Sequence, residues 1–124
     1  MPAKISQAEW EVMSVLWAQA PLTATDVFAA LPAGHGWKQK TVNTFLTRLV
    51  DKKVLAVNKR EKAHVYTPRV SREKCVSQEG ESFLQRVFQG ATGDLVLLFC
   101  ARADLTPEEI RELEQLLKAK KAGQ

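Results

Sequence analysis

A chain of 124 residues, 45% of them hydrophobic, is too apolar for a disordered protein and has room for one ordinary domain or a small domain with an appendage. Its net charge of +4 is unevenly spread: residues 1–70 hold ten Lys/Arg against five Asp/Glu, whereas residues 71–124 hold eight against nine. The basic character sits in the first part, where it points to a polyanionic partner, and the longest apolar run, Leu95 to Ala101, is far too short to span a bilayer.

Ser6 opens the first helix. Glu9 stands three residues on, as in a capping box, and Ile5 and Trp10 are spaced for a hydrophobic staple. Trp10, Met13, Leu16 and Trp17 line its inward side, and Pro21 ends it. The same start signal recurs at Thr23, with Asp26 at the third helical position and Leu22 and Val27 as staple. This second helix is short, packs through Val27, Phe28 and Leu31, and closes at Pro32; the loop to Gly36 follows.

The third helix is expected from Lys38 to Lys53. Val42, Phe45, Leu46, Leu49 and Val50 form its apolar stripe. The opposite face shows Lys40, Thr41, Asn43, Thr44, Thr47 and Arg48, cationic and polar without a carboxylate, which suits the major groove of DNA. A strand at Val54–Asn58, a charged tip at Lys59–Lys62 and a returning strand at His64–Thr67 complete a hairpin. Helix, helix, helix, hairpin is the order of a winged helix-turn-helix, with the hairpin as wing. The fold class is thus mainly α with a small β-hairpin: a DNA-binding domain over 1–70 and a helical arm over 71–124.

The arm begins at Ser71. Its first helix reaches about Gln89 and carries Phe83, Leu84, Val87 and Phe88. Gly90 and Gly93 break the chain. A helix at Asp94–Ala101 is apolar nearly all round, with Leu95, Val96, Leu98 and Phe99, and is expected to be buried on several sides. Thr106, Pro107 and Glu109 cap the last helix, whose face is Ile110, Leu113, Leu116 and Leu117. Three helices of this size cannot hold a core alone. They pack back on the first part or on a second copy, and homodimerisation is the stronger reading, because a DNA reader gains from two linked half-sites.

Central DNA contacts are assigned to Lys40, Thr44 and Arg48, at i, i+4, i+8. Lys38, Thr41, Asn43 and Thr47 flank them, and Lys59, Arg60 and Lys62 of the wing reach phosphates. The bland alternatives are an Arg48–Asp51 ion pair on a solvated helix and a solvated hairpin tip. Cys75 and Cys100 lack metal-ligand spacing and read as reduced thiols; His35 and His64 have too few companions for a metal site. No catalytic set or phosphate loop occurs, so neither an enzyme nor a cofactor is expected. The start, Met1-Pro2-Ala3-Lys4, has no apolar signal core, so the expectation is a cytoplasmic protein without membrane insertion.

In their order and spacing, Ser6-Gln-Ala-Glu-Trp-Glu-Val-Met13, Trp37-x-x-Lys-Thr-Val-x-Thr44, Leu46-x-Arg-Leu49, Val65-Tyr-Thr-Pro68, Ser82-Phe-Leu84, Val96-Leu97 and Glu109-Ile-x-Glu-Leu113 resemble the penicillinase repressor (BlaI/MecI) family of winged-helix transcriptional regulators. The resemblance covers nearly all the residues. It implies a dimeric repressor of β-lactamase or related antibiotic-resistance genes, bound to double-stranded, dyad-symmetric operators and released when a regulatory protease cuts the dimerisation arm. Two positions depart from the family pattern. Lys38-Gln39 replaces Ser-Pro ahead of the recognition-helix lysine, and Leu98-Phe99 stands where the family has its cleaved Asn-Phe pair. The paired CxC motifs of copper-responsive relatives are missing. The alternatives are a winged-helix protein-interaction module, or a DNA-binding repressor switched by a ligand or by oxidation at Cys75 or Cys100.

Overall fold

A computed structural model describes residues 4–123. Met1-Pro2-Ala3, read above as lacking a signal core, and the ends of the expected ranges 1–70 and 71–124 lie outside the described residues. The chain forms two compact units that divide between Glu79 and Gly80.

The first unit holds α1 (Gln7–Ala18), β1 (Leu22–Thr23), α2 (Ala24–Ala30), α3 (Gln39–Asp51), β2 (Leu55–Arg60) and β3 (Ala63–Pro68), followed by α4 (Arg72–Phe88), within which the division falls. Both anticipated caps form. Ser6 Oγ accepts from the Glu9 amide at 3.2 Å and Glu9 Oε1 accepts from the Ser6 amide at 2.8 Å; Thr23 and Asp26 repeat the exchange at 3.1 and 3.4 Å. Each satisfies helix N–H groups that would otherwise lack a partner. Val12, Met13, Leu16, Val27, Val42, Leu46, Leu49 and Leu55 make the core, and α3 packs against both α1 and α2. The tryptophans of α1 are only half-buried. Their rings meet at 5.4 Å, and Trp17 Nε1 donates to the Val70 carbonyl at 3.0 Å, tying the chain after β3 to α1.

Three expectations change. The hairpin belongs to a three-stranded sheet of order β1-β3-β2, because Leu22 and Thr23 pair antiparallel with Tyr66 and Val65. Two residues are too few for an alternation pattern, and their partner lies far along the chain. The strands also run further than expected, pairing Arg60 with Ala63, so the turn is Glu61–Lys62 alone. The first unit extends past Val70, because Cys75 in the first part of α4 is buried in its core.

The second unit holds the rest of α4, then α5 (Thr92–Arg102) and α6 (Pro107–Ala122). Gly93 lies inside α5 and does not break it. Thr106 caps α6 as expected, with Pro107 in the first turn and Glu109 closing the box. Burial of the apolar α5 on several sides is not found in the single chain: no residue of α5 or α6 is buried. Three short helices lack the mass to enclose their own apolar faces.

Candidate nucleic-acid interface

The approach to α3 is built from rings and glycines. Gly34 and Gly36 take φ of +86° and +75°, backbone that favours glycine. Between them His35 packs against Phe28 of α2 (5.2 Å) and Trp37 (5.4 Å), and Trp37 packs on Phe45 of α3 (5.1 Å). His35 Nδ1 accepts the Trp37 amide at 2.9 Å. Lys38 is the N-cap and makes no side-chain capping bond. Gln39 does what sequence reasoning did not assign to it: its Nε2 donates to the Ala24 carbonyl at 3.1 Å and to Asn43 Oδ1 at 2.9 Å. Its i, i+4 spacing to Asn43 was the available signal.

The apolar stripe of α3 faces inward, with Val42, Leu46 and Leu49 buried and Phe45 and Val50 half-buried. Helical periodicity then gathers Lys40, Asn43, Thr44, Thr47 and Arg48 on one outward arc, all exposed, with half-buried Thr41 at its edge and exposed Lys38 at its start. Thr44 and Thr47 donate their hydroxyls back to the carbonyls of Lys40 and Asn43, at 3.1 and 3.0 Å. They therefore offer outward a hydroxyl acceptor and a methyl group. Asn43 keeps its amide donors, while its oxygen already accepts from Gln39. The arc is free of carboxylates until its last turn, where Asp51 is exposed four residues after Thr47. Arg48 makes no ion pair among the described residues, so the Arg48–Asp51 bridge does not form.

In the wing, Lys59 pairs across the ribbon with His64 and Arg60 with Ala63. Successive strand residues face opposite ways, so Lys59 and Arg60 lie on opposite faces of the hairpin. Lys62 stands in the turn beside Glu61, whose φ is +54°. All four side chains are exposed.

One lysine of the basic stretch turns inward. Lys52, just past α3, places Nζ 2.6 Å from Glu9 Oε1 and 2.7 Å from the Lys4 carbonyl. Glu9 is 1% exposed, and its Oε2 is buried without a hydrogen-bond partner among the described residues. Burial pushes the Glu9 carboxyl up, but hydrogen bonds from Lys52 and Ser6 and the Lys52 charge outweigh that and hold it below the usual carboxylate range.

In the second unit Phe83, Leu84, Phe88, Leu95 and Leu113 are half-buried. Val87, Val96, Leu98, Phe99, Ile110, Leu116 and Leu117 are exposed, as is Leu97 at 68%, which the sequence-based set omitted. Cys100 is an exposed free thiol; Cys75 is free and buried, and burial raises its pKa, which works against thiolate chemistry there. Among the described residues no group of three His, Cys, Asp or Glu is placed to hold a metal, and no helix is long and apolar enough to cross a membrane.

A family model described as penicillinase repressor matches residues 5–119. The chain is 36% identical over 118 residues to the penicillinase repressor of Bacillus licheniformis, covering 95% of this chain and 92% of that protein. It is 32% identical over 117 residues to the methicillin resistance regulatory protein MecI of Mammaliicoccus sciuri, covering 94% of this chain and 95% of that one. Among solved structures, it resembles the monomeric form of Bacillus licheniformis BlaI in complex with the blaP half-operator, with a TM-score of 0.52 and 34% identity over 59% of this chain and 89% of that one.

Proposed function

Since this chain belongs to the penicillinase repressor family, a family of regulators and not of enzymes, we propose that it is a homodimeric repressor that lays α3 in the major groove of double-stranded operator DNA. The observation that carries this reading is the outward arc of α3. Lys40, Thr44 and Arg48 are exposed on a helix whose other side is locked into the core. Arg48 has the fork geometry for guanine O6 and N7, Lys40 suits guanine or phosphate, and the threonine methyls suit thymine. Asn43 retains the donors for one half of an adenine contact. Lys38, Lys59, Arg60 and Lys62 serve as phosphate contacts, with Lys59 and Arg60 reaching from the two sides of the wing.

Each copy reads half a site, as the solved relative does with its half-operator. The open apolar faces of α5 and α6, including Leu97 and Phe99 of α5 and Leu116 and Leu117 of α6, are covered by a second copy, which gives the operator its dyad symmetry. The genes controlled belong to antibiotic resistance, as the relatives' names indicate for them. Release follows a cut at the apolar pair Leu98-Phe99, which a regulatory protease would have to accept in place of an asparagine-containing bond.

The test is selection by the purified full chain from a pool of random duplexes. Enrichment of an inverted repeat, with affinity falling steeply as salt rises, is the expected result. Sedimentation of the same preparation should show a dimer that Phe99→Glu dissociates. No enrichment, or salt-insensitive binding, rules out the DNA-binding reading; an unaltered oligomeric state in Phe99→Glu rules out this dimer surface.

A further inference from the structure

We infer that His35 is a positioning residue for DNA recognition, acting through the hydrogen bond that its Nδ1 accepts from the Trp37 amide; this rests on the DNA-binding reading of α3. Four observations converge on it. Lys38, the N-cap of α3, contributes no side-chain bond, so the usual means of setting a helix start is missing. The Trp37 amide, one residue before that cap, is instead held at 2.9 Å by His35. Flanking Gly34 and Gly36 take left-handed backbone, and the space a β-carbon would occupy at either is open for 4 Å around, so their φ angles, and not crowding, shape the turn. The ring of His35 is itself clasped between Phe28 of α2 and Trp37, which in turn packs on Phe45 of α3. The chain thus approaches α3 along one path, and Lys38 and Lys40, either side of the bonded Gln39, are the first cationic side chains on it.

A side-chain acceptor bonded to the amide two residues on is the geometry that asparagine and aspartate use in turns. Asparagine places Oδ1 where histidine has Nδ1. His35→Asn therefore keeps the bond and discards the ring, and His35→Leu, of similar size, discards both. His35 lies outside the buried core, so both variants keep the fold.

The experiment compares wild type, His35→Asn and His35→Leu on a duplex carrying the repeat selected by wild type and on a random duplex of equal length. His35→Leu should lose about five- to tenfold in affinity for the selected duplex, the scale of one neutral hydrogen bond, with random-duplex affinity unchanged. His35→Asn should stay within about twofold of wild type on both. The proposal is overturned if His35→Leu matches wild type, if His35→Asn falls as far as His35→Leu, or if both duplexes weaken in parallel, as a loss of folded protein would cause. A wild type that prefers neither duplex defeats the DNA-binding reading itself.

Discussion

Lys52 and Glu9, 43 residues apart in sequence, meet at 2.6 Å and join the end of α3 to the start of α1. Glu9 also closes the capping box on Ser6, so one carboxylate serves both a helix start and a tertiary brace. A buried charge that loses its partner is costly, whereas a neutral pair in its place is not. Lys52→Met should therefore destabilise the protein by about 3 kcal/mol in urea titrations, and adding Glu9→Gln should restore much of the loss.

The same pair sets an acid response. The Glu9 carboxyl is held below its ordinary range when folded. Its contribution to stability is then complete above the ordinary carboxylate pKa and is lost as pH falls through the lowered folded value. Urea midpoints measured across that window should slope for wild type more steeply than for Glu9→Gln.

Salt dependence separates the inward lysine from the outward cations. Each phosphate contact contributes roughly 0.9 to the slope of log affinity against log salt. Lys40→Ala should lower the slope by about that amount, and Lys52→Met, once allowance is made for folded fraction, should leave it unchanged. Arg48→Ala should cost about 1–3 kcal/mol on the selected duplex while the helical circular dichroism persists.

Asp51 is the one carboxylate on the outward arc of α3, and it stands where the helix dipole disfavours it. Asp51→Asn should raise DNA affinity about two- to fivefold at low salt, an advantage that shrinks as salt screens it. It should also stabilise the helix by a few tenths of a kcal/mol. A variant that binds more weakly would mean that Asp51 holds a neighbouring cation in place.

Glu61 has the left-handed φ of +54° in the two-residue turn of the wing. Glu61→Gly removes a cost of about 1–2 kcal/mol, partly offset by the freedom glycine brings to the unfolded chain, for a net gain of up to about 1 kcal/mol. Thermal melting should move up by a few degrees, and the wing tip, one acid poorer, should bind DNA more tightly.

Local signals carried most of the fold. The three capping boxes at Ser6, Thr23 and Thr106 each form where a hydroxyl precedes a carboxylate by three residues. The stripe of α3 faces the core because its spacing is helical. What escaped was set by distant partners. β1 needs Tyr66 and Val65, and Lys52 needs Glu9; neither partnership leaves a mark on the stretch that contains it. The candidate interface was readable as a set of residue types, but not as bonded groups. Nothing in the composition says that Thr44 and Thr47 give their hydroxyl protons to their own helix, or that Gln39 occupies the oxygen of Asn43. The burial expected for α5 is not met within one chain because three short helices cannot enclose its apolar faces, and the pattern of one helix does not say which surface covers it.

The back-bonded threonines have a thermodynamic corollary. With Thr44, Thr47 and Asn43 each tethered to the turn before it, the middle of the arc is stiff before any duplex arrives. Rotamer freedom already surrendered in folding is not surrendered again on association. On the proposed reading of α3, the entropy lost in docking would then fall mainly on the long side chains at the margins, Lys40 and Arg48, leaving a rigid centre between two supple ends.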